Sequence, residues 1–283
     1  MDTKKVWFVT GASKGLGLAL VKNLLSNGYP VAATSRDAVA LQKEVGVLSA
    51  NFLPLTMDLA NEQNVAKAIT QSIATFGKID VVVNNAGYGQ LGTLEELTDT
   101  EVRQNFDTNV FGMLHVIRHI MPHFRSNKSG YLINISSIAG FLGTFPGWGI
   151  YNATKFAVAG LSEALSAEAA SLGIKTTIVY PGYFKTNFLS SGSLRLAETA
   201  ITDYQDARAL EEIHLNQIIG NQPGDPEKAA TAFIQLAEME HAPLHFFMGS
   251  DALEMAKSKI ERLQQELAAN ERLSRATDFM ELV

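Results

Sequence analysis

Apolar residues fall into two alternating rhythms along this chain. Short solid runs such as Val6-Trp7-Phe8-Val9 are followed by longer stretches in which apolar side chains recur at three- and four-residue intervals. The first rhythm predicts strands buried on both faces, and the second predicts helices lying against them. Strands are expected at residues 6–10, 30–35, 52–57, 80–84, 130–136, 175–180 and 244–248, and helices at residues 16–27, 61–76, 101–124, 151–171 and 225–240. Strands alternating with helices in this way form βαβ units around a parallel sheet. The expected fold class is therefore α/β: a doubly wound parallel seven-stranded sheet with helices on both faces, forming a single domain over residues 1–283.

Two stretches break the rhythm. Residues 183–223 mix Phe184, Phe188, Leu189, Leu194 and Leu196 with serine and glycine, and a connection this long points to a lid over a substrate. Residues 251–275 form a charged amphipathic pattern, which predicts an extra helix within a C-terminal extension, 251–283, on the surface or in subunit packing.

Composition narrows the classes of function. With 46% hydrophobic residues in 283, the chain can build a packed body that hides most of its unfolded surface. A net charge of -6 disfavours a nucleic-acid partner, because such a surface repels a phosphate backbone. The absence of cysteine excludes disulfides, a thiolate nucleophile and a cysteine zinc site, and fits a reducing compartment. The opening Met-Asp-Thr-Lys-Lys and the short apolar run after it lack the length of a signal peptide or membrane span, so no membrane partner and a cytoplasmic location are expected.

The turn after the first strand reads "TGASKGLG", residues 10–17. A helix starting directly behind a strand presents unpaired N–H groups and the positive end of its dipole, so a phosphate can sit there if the backbone can approach. Gly11 would make the turn, Gly15 would leave space beside a pyrophosphate, and Gly17 would let helix and sheet pack closely. The spacing G-x-x-x-G-x-G differs from the common dinucleotide fingerprint and alone is a weak signal, since a merely tight βα turn also fits it.

Further motifs decide between these readings. "TGASKGLG", Asp58 after the third strand, "NNAG" ending at Gly87, "NISS" ending at Ser137, "YNATK" from Tyr151 to Lys155 and "YPG" ending at Gly182 occur in the order found in the short-chain dehydrogenase/reductase family, which the chain resembles over about residues 5 to 250. The resemblance implies a Rossmann sheet that binds a nicotinamide dinucleotide and transfers hydride to or from a carbonyl. It implies cofactor contacts from Gly11, Ser13, Lys14, Gly15, Leu16 and Gly17, and from Pro181 and Gly182. Asp58 would bond the adenine amine, and Asn84, Ala86 and Gly87 would line the adenosine ribose and support the sheet. Thr186 fits either the position that bonds the nicotinamide carboxamide or a plain helix cap.

An acidic residue about twenty positions past the glycines is the usual mark of NAD, and Asp37 lies at that distance. In the resembling family, however, the discriminating acid falls at Ser35, which Arg36 follows here. Arg36 can bind the oxygens of a 2'-phosphate, and Lys14 adds a second cation at a place from which NADP users of that family reach it. The expected cofactor is NADP(H), with Asp37 starting the next helix. As solvated surface charges, Lys14 and Arg36 would mean nothing of the kind.

The resemblance also implies a catalytic set of Tyr151, Lys155, Ser137 and Asn109. A ketone that accepts hydride becomes an alkoxide, and a tyrosine can stabilise and protonate that oxygen. Bringing its pKa from near 10 to about 7 needs about 4 kcal/mol. Lys155, one helical turn on, would supply roughly 3 kcal/mol from about 5 Å at an effective dielectric near 20. Lys155 would also hold the nicotinamide ribose, Ser137 would bond the substrate oxygen, and Asn109 would hold a water that relays the proton. Fourteen positions separate Ser137 from Tyr151, one more than is usual in the family, so "GFLGTFPGWG" must bulge, and Ser136 competes with Ser137 for the role.

His115, His119 and His123 share a helical stripe, but with no carboxylate or cysteine beside them they read as packing residues rather than a metal site. Phe145, Trp148, Tyr88 and Phe184 could wall an apolar pocket or simply pack. The function expected is an NADPH-dependent carbonyl reductase acting on a hydrophobic ketone or aldehyde. A hydroxysteroid or retinol dehydrogenase-like enzyme and a non-catalytic NADP sensor are the alternatives. Relatives pair subunits through the helices that carry Asn109 and Tyr151, which implies a homodimer or homotetramer.

Overall fold

The computed structural model describes residues 4–189 and 192–279. Ser190 and Ser191 of the expected lid, the first three residues and the last four of the expected extension lie outside the described residues. Seven parallel strands form the main sheet: β1 (Trp7–Val9), β2 (Val31–Ser35), β3 (Phe52–Thr56), β4 (Val81–Asn84), β6 (Gly130–Ile135), β7 (Ile174–Pro181) and β9 (His245–Met248), in the order β3-β2-β1-β4-β6-β7-β9. All seven lie where the apolar runs predict them. A second, two-stranded parallel sheet pairs β5 (Gly89–Leu91) with β8 (Leu194–Leu196), and it has no counterpart in the expectations.

Strand side chains alternate between two cores, because successive residues of a strand point to opposite faces. Trp7 and Val9 pack with Leu20 and Leu24 of α1 (Gly15–Ser26), Leu41 of α2 (Ala38–Val45) and Phe233 of α8 (Pro226–Glu238). Phe8 instead meets Ile69 of α3 (Glu62–Phe76), Ile120 of α5 (Gly112–Asn127) and Leu165 of α6 (Gly149–Ala169). Each such large side chain contributes about 1.5–3 kcal/mol by leaving water, so both faces of the sheet must be covered and the winding is double.

The predicted helix at 101–124 is longer and interrupted. It begins as α4 (Asp99–Phe106) behind a capping box of Thr98 and Glu101, widens into a π-turn at Asp107–Phe111, and continues as α5. The 183–223 stretch holds β8, α7 (Gln205–Glu212) and a π-turn at Ile213–Ile218. Its ends are pinned together, Gly224 N donating to Tyr183 O at 2.9 Å and Lys185 N to Gly224 O at 2.8 Å. Buried Glu96 ties its middle down by accepting Ile201 N at 2.6 Å and Arg208 Nη2 at 2.9 Å. The last helix, α9 (Ser250–Arg275), buries Ala252 and Ala256 against Ile138 and is exposed over residues 261–275.

Candidate active site

β1 has β2 on one side and β4 on the other, so the winding reverses beside it and a crevice opens at the carboxyl ends of these strands. There lies a cavity of about 720 Å³. Every residue expected to contact cofactor or to act in catalysis lines it except Gly17, Asn84 and Asn109.

The glycine turn forms one wall. Gly11 has φ 65°, and a Cβ on it would come within 2.7 Å of Ala86 Cα, so any other residue would push the first and fourth strands apart. Gly15 has φ 59°, and a Cβ there would meet only Thr186, 3.7 Å away, and would partly fill the cradle. Gly17 is buried behind the turn, where a Cβ would lie 2.6 Å from Gly11 O. The α1 N-terminus has no side-chain cap and no acidic residue in its first turn. Its N–H groups and positive dipole end are left for a ligand, and this cradle fits a dinucleotide phosphate.

Lys14 and Arg36 line the same cavity. Burial lowers the Lys14 pKa and the Arg36 charge lowers it further. Among the described residues neither cation forms an ion pair with an acid. Asp37, by contrast, caps α2 by accepting Val39 N at 2.9 Å and Ala40 N at 3.0 Å, and does not line the cavity. Asp58 lines it and bonds Ala60 N through Oδ1. Thr186 lines it too, and its Oγ1 also accepts Phe188 N at 3.3 Å, so the capping reading of this residue describes a bond that is made.

Tyr151 and Lys155 project from α6, 6% and 5% exposed. Ser137 Oγ accepts Ala139 N at 3.1 Å and lines the cavity together with Tyr151. Ser136 Oγ donates to Lys155 O at 2.8 Å, which commits it to holding α6 and leaves Ser137 for the cavity. The extra residue between Ser137 and Tyr151 is absorbed in a loop that includes a turn at Gly147, φ 78°. Lys155 Nζ donates to Ile135 O at 2.9 Å and lies 5.8 Å from the Tyr151 ring centre.

The charges differ from expectation. Burial pushes the Tyr151 phenol well above its ordinary value, against the lowering effect of the Ser137 hydroxyl, and Tyr183 raises it further. Burial also lowers Lys155 to about 8. A pKa near 7 for Tyr151 is therefore not a property of this site by itself, because desolvation penalises both charged forms before their attraction can act.

Two expected positions are corrected. Asn84 does not line the cavity, since its Nδ2 donates to buried Asn134 Oδ1 at 2.8 Å and braces β4 against β6. The neighbouring Asn85 lines it instead, with Nδ2 donating to Thr10 O at 2.9 Å and Gly11 O at 3.0 Å. Asn109, on the π-turn, accepts Tyr88 N at 3.0 Å, and its Nδ2 donates to Tyr88 O at 3.0 Å and Thr154 Oγ1 at 3.1 Å. It thus ties the loop after β4 to α6, and it stands behind the cavity-lining Tyr88 and Gly87; a Cβ on Gly87 would lie 3.0 Å from Asn109 Oδ1 and 3.5 Å from Lys155 Nζ.

Phe145, Trp148, Tyr88 and Phe184 all line the cavity. Sequence reasoning missed Tyr183, His214 and Arg195, which line it from the 183–223 stretch. Tyr183 follows the "YPG" turn directly, so its place was open to inference, whereas nothing around His214 signals proximity. The stripe histidines scatter: His123 Nε2 accepts Ile79 N at 3.2 Å, while His115 and His119 approach Glu62, a carboxylate the sequence keeps far away. Among the described residues no group of three His, Cys, Asp or Glu could hold a metal. No helix there is long and apolar enough to cross a membrane.

Comparison with known proteins bears on this geometry. The short chain dehydrogenase family model matches residues 5–195. The oxidoreductase BOA17 of Botryotinia fuckeliana is 33% identical over 260 residues, covering 92% of this chain and 94% of its own. A short-chain dehydrogenase structure from Streptomyces avermitilis is 36% identical with a TM-score of 0.89, covering 98% of this chain and all of its own. The structure of ElxO with NADP bound is 27% identical with a TM-score of 0.72, covering 89% of this chain and 99% of its own.

Proposed function

Because the chain belongs to the short-chain dehydrogenase family of nicotinamide-dependent oxidoreductases, we propose that it is an NADPH-dependent carbonyl reductase acting on a hydrophobic ketone or aldehyde. The observation that carries the cofactor choice is the pair Lys14 and Arg36, two like charges held near each other in one cavity, neither ion-paired among the described residues. Such a pair gains most from an oxyanion such as a 2'-phosphate. The NADP bound to ElxO supports the same choice. The bare amides of the α1 N-terminus, with Gly11 and Gly15, hold the pyrophosphate, and Asp58, Ala86, Gly87, Pro181, Gly182 and Thr186 complete the cofactor wall.

The bound cofactor supplies hydride to the carbonyl carbon. Tyr151, kept protonated by burial, gives its proton to the carbonyl oxygen as negative charge gathers there. Ser137 hydrogen-bonds the same oxygen. Lys155, cationic below about pH 8, offsets the phenolate that Tyr151 becomes. Asn109 acts by position, fixing the loop at Tyr88 against α6. A phenol stored in its acid form suits reduction rather than alcohol oxidation. The 183–223 stretch closes over the substrate, and its apolar faces select an apolar molecule. Phe111 and Phe156, 48% and 40% exposed, support pairing of subunits across these helices in a cytoplasmic homo-oligomer.

The test follows NADPH absorbance across ketones, aldehydes, steroids and quinones. Oxidation of NADPH by an apolar carbonyl is expected, and saturable NADPH binding without turnover of any carbonyl overturns the reading. Lys14→Ala with Arg36→Ala is expected to raise the KM for NADPH at least tenfold while changing that for NADH little. Equal effects on both cofactors would remove the phosphate role.

A further inference from the structure

One pair of side chains in the cavity wall carries a polarity that hydride transfer leaves unused. His214, 3% exposed, has Nδ1 2.8 Å from Leu210 O and Nε2 2.8 Å from Tyr183 Oη. A carbonyl oxygen only accepts, so the imidazole hydrogen sits on Nδ1. Nε2 of the neutral ring is then bare, and the Tyr183 phenol must donate into it. Burial holds the imidazole pKa below its ordinary value, against the raising effect of the Leu210 carbonyl, and so keeps the ring neutral at pH 7. Tyr183 itself stays a phenol, pushed up to about 12 by burial and by Asp251.

With its one hydrogen committed, Tyr183 Oη has only lone pairs left to offer the cavity it lines. The surroundings are apolar. The Trp148 ring centre is 5.0 Å from that of His214 and 5.4 Å from that of Tyr151, and Phe188 lies 6.0 Å from Tyr151. Tyr183 and Tyr151 line the same cavity, and Trp148 packs on both Tyr151 and the His214 that holds Tyr183, so a molecule held at Tyr151 lies in the chamber that Tyr183 faces.

We infer that Tyr183 Oη, made a pure acceptor by His214, selects substrates that carry a hydrogen-bond donor, a hydroxyl or an amine, beside the reacting carbonyl group of an otherwise apolar molecule. The inference rests on the carbonyl-reductase reading and narrows its substrate class. A plain ketone would strip water from Tyr183 Oη and leave it unpaired, and an ether or carboxylate would set lone pairs against lone pairs. His214 does not touch the substrate. It is a positioning residue that fixes which way the phenol hydrogen points.

The test compares a straight-chain methyl ketone with its α-hydroxy and α-methoxy derivatives in NADPH-consumption kinetics. The hydroxyketone is expected to exceed both others in kcat/KM by at least about tenfold, the worth of one well-made hydrogen bond. Tyr183→Phe should bring the hydroxyketone-to-ketone ratio near one. His214→Phe, which frees the phenol hydrogen, should raise the methoxyketone relative to the hydroxyketone, a reversal that mere loosening of the wall would not produce. Equal use of hydroxyketone and ketone by the parent protein, or a ratio that survives Tyr183→Phe, overturns the inference. If no ketone is reduced, the reading of the reaction fails separately, and calorimetric titration of the same three compounds into the NADP-loaded protein decides this one. Tighter binding of the hydroxyketone upholds it, and equal or absent binding overturns it.

Discussion

Tyr151 and Lys155 sit in a place where neither is comfortable as an ion, and that discomfort has measurable consequences. Tyr151→Phe removes the proposed proton donor but keeps the ring that packs on Trp148. Turnover should fall by at least about a thousandfold with NADPH binding intact, read by single-turnover kinetics and cofactor fluorescence. For Lys155 the folded-state pKa is depressed to about 8 from an ordinary 10.5. Between those two values the unfolded chain binds more protons than the folded one, so this lysine makes stability rise with pH across that window and weigh against the fold below it. Lys155→Met should therefore stabilise the protein at pH 7 by about 1–2 kcal/mol, since the relief of about 3 kcal/mol is partly offset by the lost bond to the Ile135 carbonyl. Thermal melts from pH 7 to 10 should show the gain shrinking as pH rises, while activity is lost throughout. In the parent, kcat/KM for reduction should decline as pH climbs through about 8, where the lysine loses its charge.

Elements with a strong internal rhythm could be read from the sequence, and elements that depend on distant partners could not. Strand β4 and helix α3 announce themselves through unbroken apolar runs and a capped amphipathic stripe ending at Gly77. The π-turn at Asp107–Phe111 is silent, because one extra residue in a turn hardly disturbs an apolar period, yet it sets the direction of Asn109. Strands β5 and β8 are three residues each and over a hundred positions apart, so neither has a pattern until the other is present. Asn84 and Asn85 show the finest limit of sequence reading: both belong to "NNAG", and only the strand's alternation of faces decides which one meets the cavity. Glu96 is equally invisible, since its partners Ile201 and Arg208 come from the far stretch. Its carboxylate is held below the usual range although burial alone would raise it, because the Ile201 and Thr93 N–H groups and Arg208 outweigh that effect. Glu96→Ala should cost about 2–3 kcal/mol by leaving those donors and a guanidinium unpaired. Limited proteolysis should then cut between residues 192 and 212 before the sheet unfolds, and intact resistance would show that Glu96 does not hold the stretch down.

At the scale of the whole molecule, the cavity is assembled from parts that lie far apart in the chain. The glycine turn after β1 supplies one wall, α6 supplies Tyr151 and Lys155, and the 183–223 stretch supplies Tyr183, Phe184, Phe188 and His214. The start of α9 secures the junction, where Asp251 Oδ2 accepts Tyr183 N at 2.7 Å. The C-terminal helix thus does more than the surface or subunit-packing role its charged pattern predicts. Its first two turns help to set the chamber wall, and only its outer half stands in solvent.

If the 183–223 stretch is the proposed cover, the small ladder between β5 and β8 is its clasp, with Leu91 standing opposite Leu196. Since the protein has no thiol of its own, Leu91→Cys with Leu196→Cys would place a lone pair of sulfurs across strands whose usual spacing of about 4.8 Å suits a disulfide. Fastened by an oxidant, the clasp should stop repeated turnover yet permit one round of hydride delivery from molecules already inside, and a reductant should set it running again.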